Sequence, residues 1–330
     1  DKSKPVVDFP LNDDFTIDRS KIGDIFKNHD LLNYRTFAFT PFMPKLNTNN
    51  PIMKEHLINA AKYWIEEYDI DGWRLDVSNE VGHRFWRDFR DAVKGAKKES
   101  YIVGENWDNS NPWLQGDQYD GVMNYEILFP IWNYFGNNID GPNYKSSEFM
   151  YKINKVLVDY PKNVLRAMYN LVDSHDTTRI LEICSNNIDL VKLPYLFLFS
   201  FPGAPSIYYG GEVGLTGKHD PDNRRCMTWD EELQNKDILH HIKTLISLRN
   251  QHSAFKSTEF EWVDVNDEFE YIIYKKEDLY FIINKSDKPK LIKLPKDLQS
   301  TKFTNIYNNE EINLKTDFEL KGFDFYILKK

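Results

Sequence analysis

Asp71-Gly72-Trp73-Arg74-Leu75-Asp76-Val77 decides how this sequence is read, because it sets two opposite charges inside a strand pattern. In a β-strand, residues two apart share a face, so Gly72, Arg74 and Asp76 point one way and Trp73, Leu75 and Val77 the other. One face is expected to pack and the other to carry chemistry. Burying a guanidinium and a carboxylate costs on the order of several kcal/mol each, and the pair returns little stability, so function is the better reason for its presence.

Two further stretches repeat the pattern of an apolar run closed by an acid. Tyr101-Ile-Val-Gly104-Glu105 reads as a buried strand that delivers one carboxylate at its C-terminal end, and Asn170-Leu-Val-Asp-Ser-His175-Asp176 as another. Three acids in this order, with Arg74 and His175 beside them, can converge on one mouth of a parallel sheet. A lone Glu at a strand end would mean little among 51 acidic residues.

The intervening segments fit such a sheet. Pro51 opens a helix with Leu57, Ala60, Ala61 and Trp64 at helical spacing, and Phe85, Trp86, Phe89, Ala92 and Val93 mark the next. Strands are expected at Ile70–Val77, Tyr101–Glu105, Gly121–Asn124, Leu165–Asp173 and Ser206–Tyr209. Helical segments lie around Phe149–Tyr160 and Ile238–Leu248. Strand-then-helix alternation implies parallel strands with helical crossovers. From about Phe255 the period changes to two, as in Phe269–Ile273 and Leu279–Ile283, and strands follow without helices. A small antiparallel β domain, a sandwich or meander, is expected there.

The motifs resemble those of a known family. Asp71–Glu80, Gly104–Trp107 and Asp173–Arg179 look like three signatures of the α-amylase family of retaining glycoside hydrolases. Met43-Pro-Lys-Leu-Asn47 resembles the signature of its cyclomaltodextrinase, neopullulanase and maltogenic amylase branch. Ile207-Tyr-Tyr-Gly-Gly-Glu212, with Asp220-Pro and Arg225–Asp230 after it, resembles the last barrel strand and its loop. The resemblance implies an α/β fold, the C-terminal portion of a parallel (β/α)8 barrel with about five strands, followed by the antiparallel β domain. It numbers the visible strands fourth to eighth. The implied division is a remnant of a barrel insert or long loop at 1–33, a partial catalytic barrel at 34–254 and the β domain at 255–330. Such a barrel needs eight strands, so the first three are expected to belong to an N-terminal part that is either truncated or supplied as another chain. Asp24-Ile-Phe-Lys-Asn28-His29 superficially fits the family's first signature, but only 13 residues separate His29 from Met43, and a solvated loop is expected.

By the same resemblance the catalytic residues are Asp76 as nucleophile, Glu105 as general acid/base and Asp176 as the third acid that binds sugar hydroxyls. Arg74 and His175 would contact the nucleophile and the sugar; Asn79, Glu80 and Trp107 would shape substrate binding. Glycosidic cleavage asks for such a carboxyl pair because the transition state is oxocarbenium-like. The implied activity is retaining hydrolysis of α-1,4 or α-1,6 bonds in cyclodextrins, maltodextrins or pullulan through a covalent glycosyl-enzyme intermediate. A transglycosylase of the same family and a catalytically silent glucan-binding fragment are the alternatives. Gly211, Asn106 and Asp108 depart from the residues usual at their positions.

Composition narrows the partners. The chain has 330 residues and a formal net charge of -9 without a long Lys/Arg run, which argues against nucleic acid and anionic membrane surfaces. The longest apolar candidate, Leu193–Tyr209, is interrupted by Pro194, Pro202 and Pro205 and is too short to span a bilayer. Cys184 and Cys226 form neither a metal spacing nor a disulfide framework, so free buried thiols and a cytoplasmic location are expected. The first residue is Asp, so the start of translation is expected upstream. No cofactor is expected: family habit allows calcium, but no Asp/Asn cluster has the spacing of a calcium loop, and no metal site is assigned. The expected partner is an α-glucan oligosaccharide or polysaccharide.

Overall fold

The structure, a computed structural model, describes residues 13, 34–38, 40, 42–136, 141–299 and 301–330. The Asp24–His29 stretch lies outside them. The chain forms two compact units, residues 1–72 with 77–100, and residues 73–76 with 101–330.

The first unit is built around two helices. Asn50 caps α1 (Pro51–Tyr68), its side chain accepting from the Ile52 and Met53 amides while Pro51 takes the first turn, where no N–H is needed. The helix stops at Asp69, which adopts a left-handed conformation. α1 turns Ala61 and Ile65 inward, and α2 (His83–Ala96) turns Phe85, Trp86, Phe89 and Val93. Lys97, just past α2, binds both Asp69 and Asp71 at 2.9 and 3.1 Å.

The second unit holds a five-stranded sheet in the order β1 (Gly72–Leu75), β2 (Tyr101–Asn106), β3 (Gly121–Asn124), β4 (Tyr169–Asn170) and β5 (Ala204–Pro205). The pairs β2–β3, β3–β4 and β4–β5 are parallel. Between β3 and β4 run α3 (Tyr125–Phe135), α4 (Ser146–Asp159) and α5 (Lys162–Ala167); between β4 and β5 run α6 (Ile180–Ile183) and α7 (Ile188–Ser200). α8 (Lys236–Gln251) follows β5. Two strands differ from expectation. Leu165, read as the start of a strand, lies in α5, and only Tyr169–Asn170 pairs; the last strand is Ala204–Pro205 rather than Ser206–Tyr209. Buried apolar runs do not distinguish strand from helix, and here the neighbour's register chooses, with Tyr169 opposite Ala204 and Asn170 opposite Pro205. The buried Asn170 side chain ties β4 to β3 and to the residues just before β5, accepting from Asn124 at 2.9 Å and donating to the Pro202 carbonyl at 2.7 Å.

The C-terminal strands form a six-stranded antiparallel sheet, order β11 (Glu310–Leu314), β10 (Thr301–Asn305), β13 (Phe325–Lys329), β8 (Leu279–Asn284), β7 (Tyr271–Lys276), β6 (Glu261–Asn266), and a two-stranded one, β12 (Asp317–Leu320) with β9 (Lys290–Lys293). Tyr271 and Ile273 of β7 pack with Ile282, Ile292, Leu320 and Leu328 between the sheets. The alternate residue Tyr274 faces α7, its hydroxyl 2.6 Å from Ser200 Oγ. Both faces are covered, which is why β7 reads as nearly continuous apolar sequence. Lys276, fully buried, reaches the carbonyls of Ser200 and Phe255, and Arg249 of α8 reaches those of Phe199, Phe255 and Gly203. Two cations thus satisfy the carbonyls left open at the end of α7.

Candidate active site

β1 and β2 bring the first two acids together. Arg74 donates from Nη1 to Asp76 Oδ1, and its Nη2 forms an ion pair with Glu105 Oε2 at 3.0 Å. One planar guanidinium therefore holds the two carboxylates at the two ends of its fork, a geometry an ammonium cannot supply. The same-face reading of Arg74 and Asp76 agrees with this, but their expected burial does not. Asp76 keeps 73% of its side-chain surface exposed and Arg74 32%, whereas Glu105 keeps 6%. β1 ends at Leu75, so Asp76 stands at the sheet's rim, and the sheltered charge is Glu105 in β2. Val77, next in the chain, has φ 44°, a left-handed conformation that a β-branched residue rarely adopts.

Glu105 also accepts a hydrogen bond from Trp107 Nε1 at 3.1 Å. Trp107 itself lies parallel to Tyr125, centroids 4.2 Å apart, with 39% of its surface exposed. It both orients an acid and presents a ring edge to solvent.

The third acid sits on the segment after β4. Asp176 accepts from Arg224 Nη2 at 3.0 Å, His175 Nε2 stands 3.0 Å from its other oxygen, and Arg224 Nε also reaches Asp220 at 2.8 Å. Tyr125 joins the two halves of the site: its hydroxyl is 3.2 Å from Ser174 Oγ, which in turn accepts the Asp176 amide at 3.1 Å. Its pKa is pushed up to about 12, chiefly by burial and further by the negative charges of Glu105 and Asp176, against the pull of Ser174 and Arg74. A single phenol thus feels Arg74, Glu105 and Asp176 together.

Asn79 and Glu80 belong to the first unit, on a one-turn 3-10 helix at Ser78–Glu80. The Glu80 carboxylate is engaged there by the Ala38 amide and by Lys45. Sequence reading missed Arg224, Asn223 and Tyr125. Their signal was present in Asp220–Arg225, a charged loop after the last strand, and in the Tyr that follows β3. Asn223 is wholly buried and donates from Nδ2 to the carbonyls of His175 and Thr177 at 2.7 and 2.8 Å. Arg179, the last residue of the Asp173–Arg179 motif, is buried, stacks over Tyr208 at 4.3 Å and donates to the Tyr209 and Asn223 carbonyls. Of the two thiols, Cys184 is buried and Cys226 exposed, which corrects the expectation for the second. Among the described residues, no three His, Cys, Asp or Glu side chains gather as a metal site would require.

The profile of the α-amylase catalytic domain matches residues 26–285 of this sequence. The chain belongs to the α-amylase family. It is 45% identical to a cyclomaltodextrinase of Geobacillus thermopakistaniensis (strain MAS1) over 282 residues, 84% of this chain and 47% of that protein. It is 42% identical to an intracellular maltogenic amylase of Bacillus subtilis (strain 168) over 264 residues, 78% of this chain and 44% of that protein. A solved cyclomaltodextrinase superposes with a TM-score of 0.80 at 38% identity, over 90% of this chain and 52% of the other. The chain spans about half the length of the curated relatives it matches. The α-amylase (β/α)8 barrel and its following β domain are accordingly the fold to which the parallel and antiparallel sheets belong. Among the described residues, no helix is long and apolar enough to cross a membrane.

Proposed function

We propose that this chain carries the catalytic groups of a retaining α-glucan hydrolase that acts on cyclodextrins and maltodextrins. The carrying observation is the Arg74 fork between Asp76 and Glu105. In this reading Asp76, exposed at the rim, attacks the anomeric carbon, and the leaving oxygen takes its proton from the sheltered Glu105. The covalent glycosyl-enzyme is then hydrolysed by water that Glu105 deprotonates. Retention requires the two carboxyls to stand about 5 to 5.5 Å apart when substrate is bound, and one guanidinium holding both is consistent with such closeness. Asp176, held by Arg224 and His175, would grip sugar hydroxyls, and Trp107 would offer its exposed ring to a neighbouring sugar.

Cyclodextrins and maltodextrins are chosen because the relatives are a cyclomaltodextrinase and a maltogenic amylase. These relatives carry about as much chain again, and the reading assigns the remaining barrel strands to it. The intracellular relative and the two unpaired cysteines support a cytoplasmic location.

The test is turnover of 4-nitrophenyl maltoside and β-cyclodextrin. Asp76→Ala and Glu105→Gln are each expected to lower turnover by at least about a thousandfold with the fold intact by circular dichroism. Turnover retained in either variant removes the assignment.

A further inference from the structure

Behind the segment that bears His175 and Asp176 lies a set of polar groups that the proposed chemistry does not use. Asp173 Oδ1, Arg179 Nη2, Tyr195 OH and Glu212 Oε2 are all buried, and none has a hydrogen-bond partner. Arg179 and Tyr195 are wholly inaccessible, and Asp173 is 3% exposed. The four come from separate stretches, the residues after β4, the start of α6, the middle of α7 and the turn after β5. Packing brings the stretches together: Arg179 Nη1 donates to the Tyr209 carbonyl at 2.7 Å, at the turn that carries Glu212, the Tyr195 hydroxyl lies against Gly211 of that turn, and the Asp173 carboxylate accepts the amide of Ile180, next to Arg179. Burial raises Asp173 to about 6, with Arg179 opposing and Glu212 reinforcing the shift, and the Tyr195 phenol is raised well above its usual value by burial and by Asp173 and Glu212.

Leaving such groups unpaired costs about 1–3 kcal/mol each, more where they are charged, so four together in a native interior require a partner. We propose that these four atoms bound a site for ordered water. The inventory decides the occupant. Two atoms, Asp173 Oδ1 and Glu212 Oε2, accept, and Arg179 Nη2 donates; the Tyr195 hydroxyl can also donate. Water gives two hydrogens and takes two, and buried waters typically make two to four such bonds. A cation would satisfy the carboxylates but face the Arg179 guanidinium, and an anion would face two carboxylates. Gly211 takes part by being small: a Cβ there would stand 2.6 Å from the Tyr195 hydroxyl.

The site is tied to the Asp176 segment through its outer bonds. The other Asp173 oxygen accepts the Ile180 amide at 2.9 Å, Arg179 Nε donates to the Asn223 carbonyl at 2.8 Å, and Asn223 Nδ2 holds His175 and Thr177. Water at the centre therefore anchors residues 173–180 from behind, and Tyr195 is a positioning residue for that segment although it touches no sugar.

Two measurements on this chain test the site without using activity. A crystal structure at about 1.5 Å, grown in potassium chloride and repeated in rubidium chloride, is expected to show water peaks within about 2.6–3.2 Å of at least three of the four atoms. A rubidium anomalous peak there overturns the proposal, as does a direct Arg179 pair with Asp173 or Glu212 and no peak. In Tyr195→Phe, which removes one hydroxyl and little volume, amide hydrogen exchange across residues 173–181 is expected to quicken about tenfold while β7 and β8 keep their rates. Unchanged exchange in 173–181, or a uniform increase across the chain, contradicts the anchoring role.

Discussion

Arg74 makes two ion pairs of unequal worth, and the inequality can be measured. Asp76 is mostly exposed and Glu105 almost wholly sheltered, while Arg74 itself is about a third exposed. At contact distance two unit charges interact by about 1 kcal/mol in water and about 4 kcal/mol at an effective dielectric of 20. Water screens the Asp76 contact, so its coupling should be at most about 1 kcal/mol. The Glu105 contact is only partly screened, from the Arg74 side, and should be worth about 2 kcal/mol. Two double-mutant cycles resolve this by urea denaturation, Arg74→Met with Glu105→Gln and Arg74→Met with Asp76→Asn. The Glu105 cycle should show the larger coupling by about 1 kcal/mol. Equal couplings, or a larger one for Asp76, would refute the argument that burial sets the hierarchy of these contacts.

Two buried bases give pH signatures of opposite placement. His241 of α8 is neutral and fully paired, one ring nitrogen 2.8 Å from the Tyr307 hydroxyl and the other 2.9 Å from the Lys192 carbonyl, and burial lowers its pKa to about 3. An unfolded chain takes up that proton near pH 6.5, so stability falls as pH drops from 6.5 toward 3. The loss between pH 7 and 4 should be about 3 kcal/mol, and His241→Gln should remove that part of the urea-midpoint shift. Lys276 is lowered to about 7 by burial, with Arg249 adding to the effect. Here the unfolded state retains a proton up to about pH 10.5, so stability should rise by about 2 kcal/mol from pH 7 to 9, a rise that Lys276→Met should abolish.

What the sequence disclosed follows from how local each signal is. The Gly121–Asn124 strand and the helix from Pro51 to Tyr68 are legible because one is a short apolar run and the other has a cap, a proline and a helical period. The paired face of Arg74 and Asp76 follows from the period of two. Their exposure does not, because β1 stops one residue before Asp76 and a strand's end is set by its neighbours. Leu165 looks like strand and is helix for a related reason: a residue buried within its unit carries the same apolar signal in either form. Arg224 escaped notice because its partner Asp176 is 48 residues away and only the tertiary fold joins them. Nothing local shows that the Arg179 side chain lies over Tyr208 and Tyr209, about thirty residues further on.

The central claim is that Asp76 attacks sugar carbon while Glu105 handles the proton, and covalent trapping tests it most directly. A 5-fluoro-α-glucosyl fluoride slows breakdown of a glycosyl-enzyme more than its formation. Incubation followed by peptic digestion and mass spectrometry should place one sugar adduct on the peptide that contains Asp76, and Glu105→Gln should leave its appearance nearly unchanged, because fluoride departs without protonation, while slowing its loss, because the attacking water then lacks its base. An adduct on Glu105 or Asp176, or turnover of the fluoride with inverted anomeric configuration, would contradict the account.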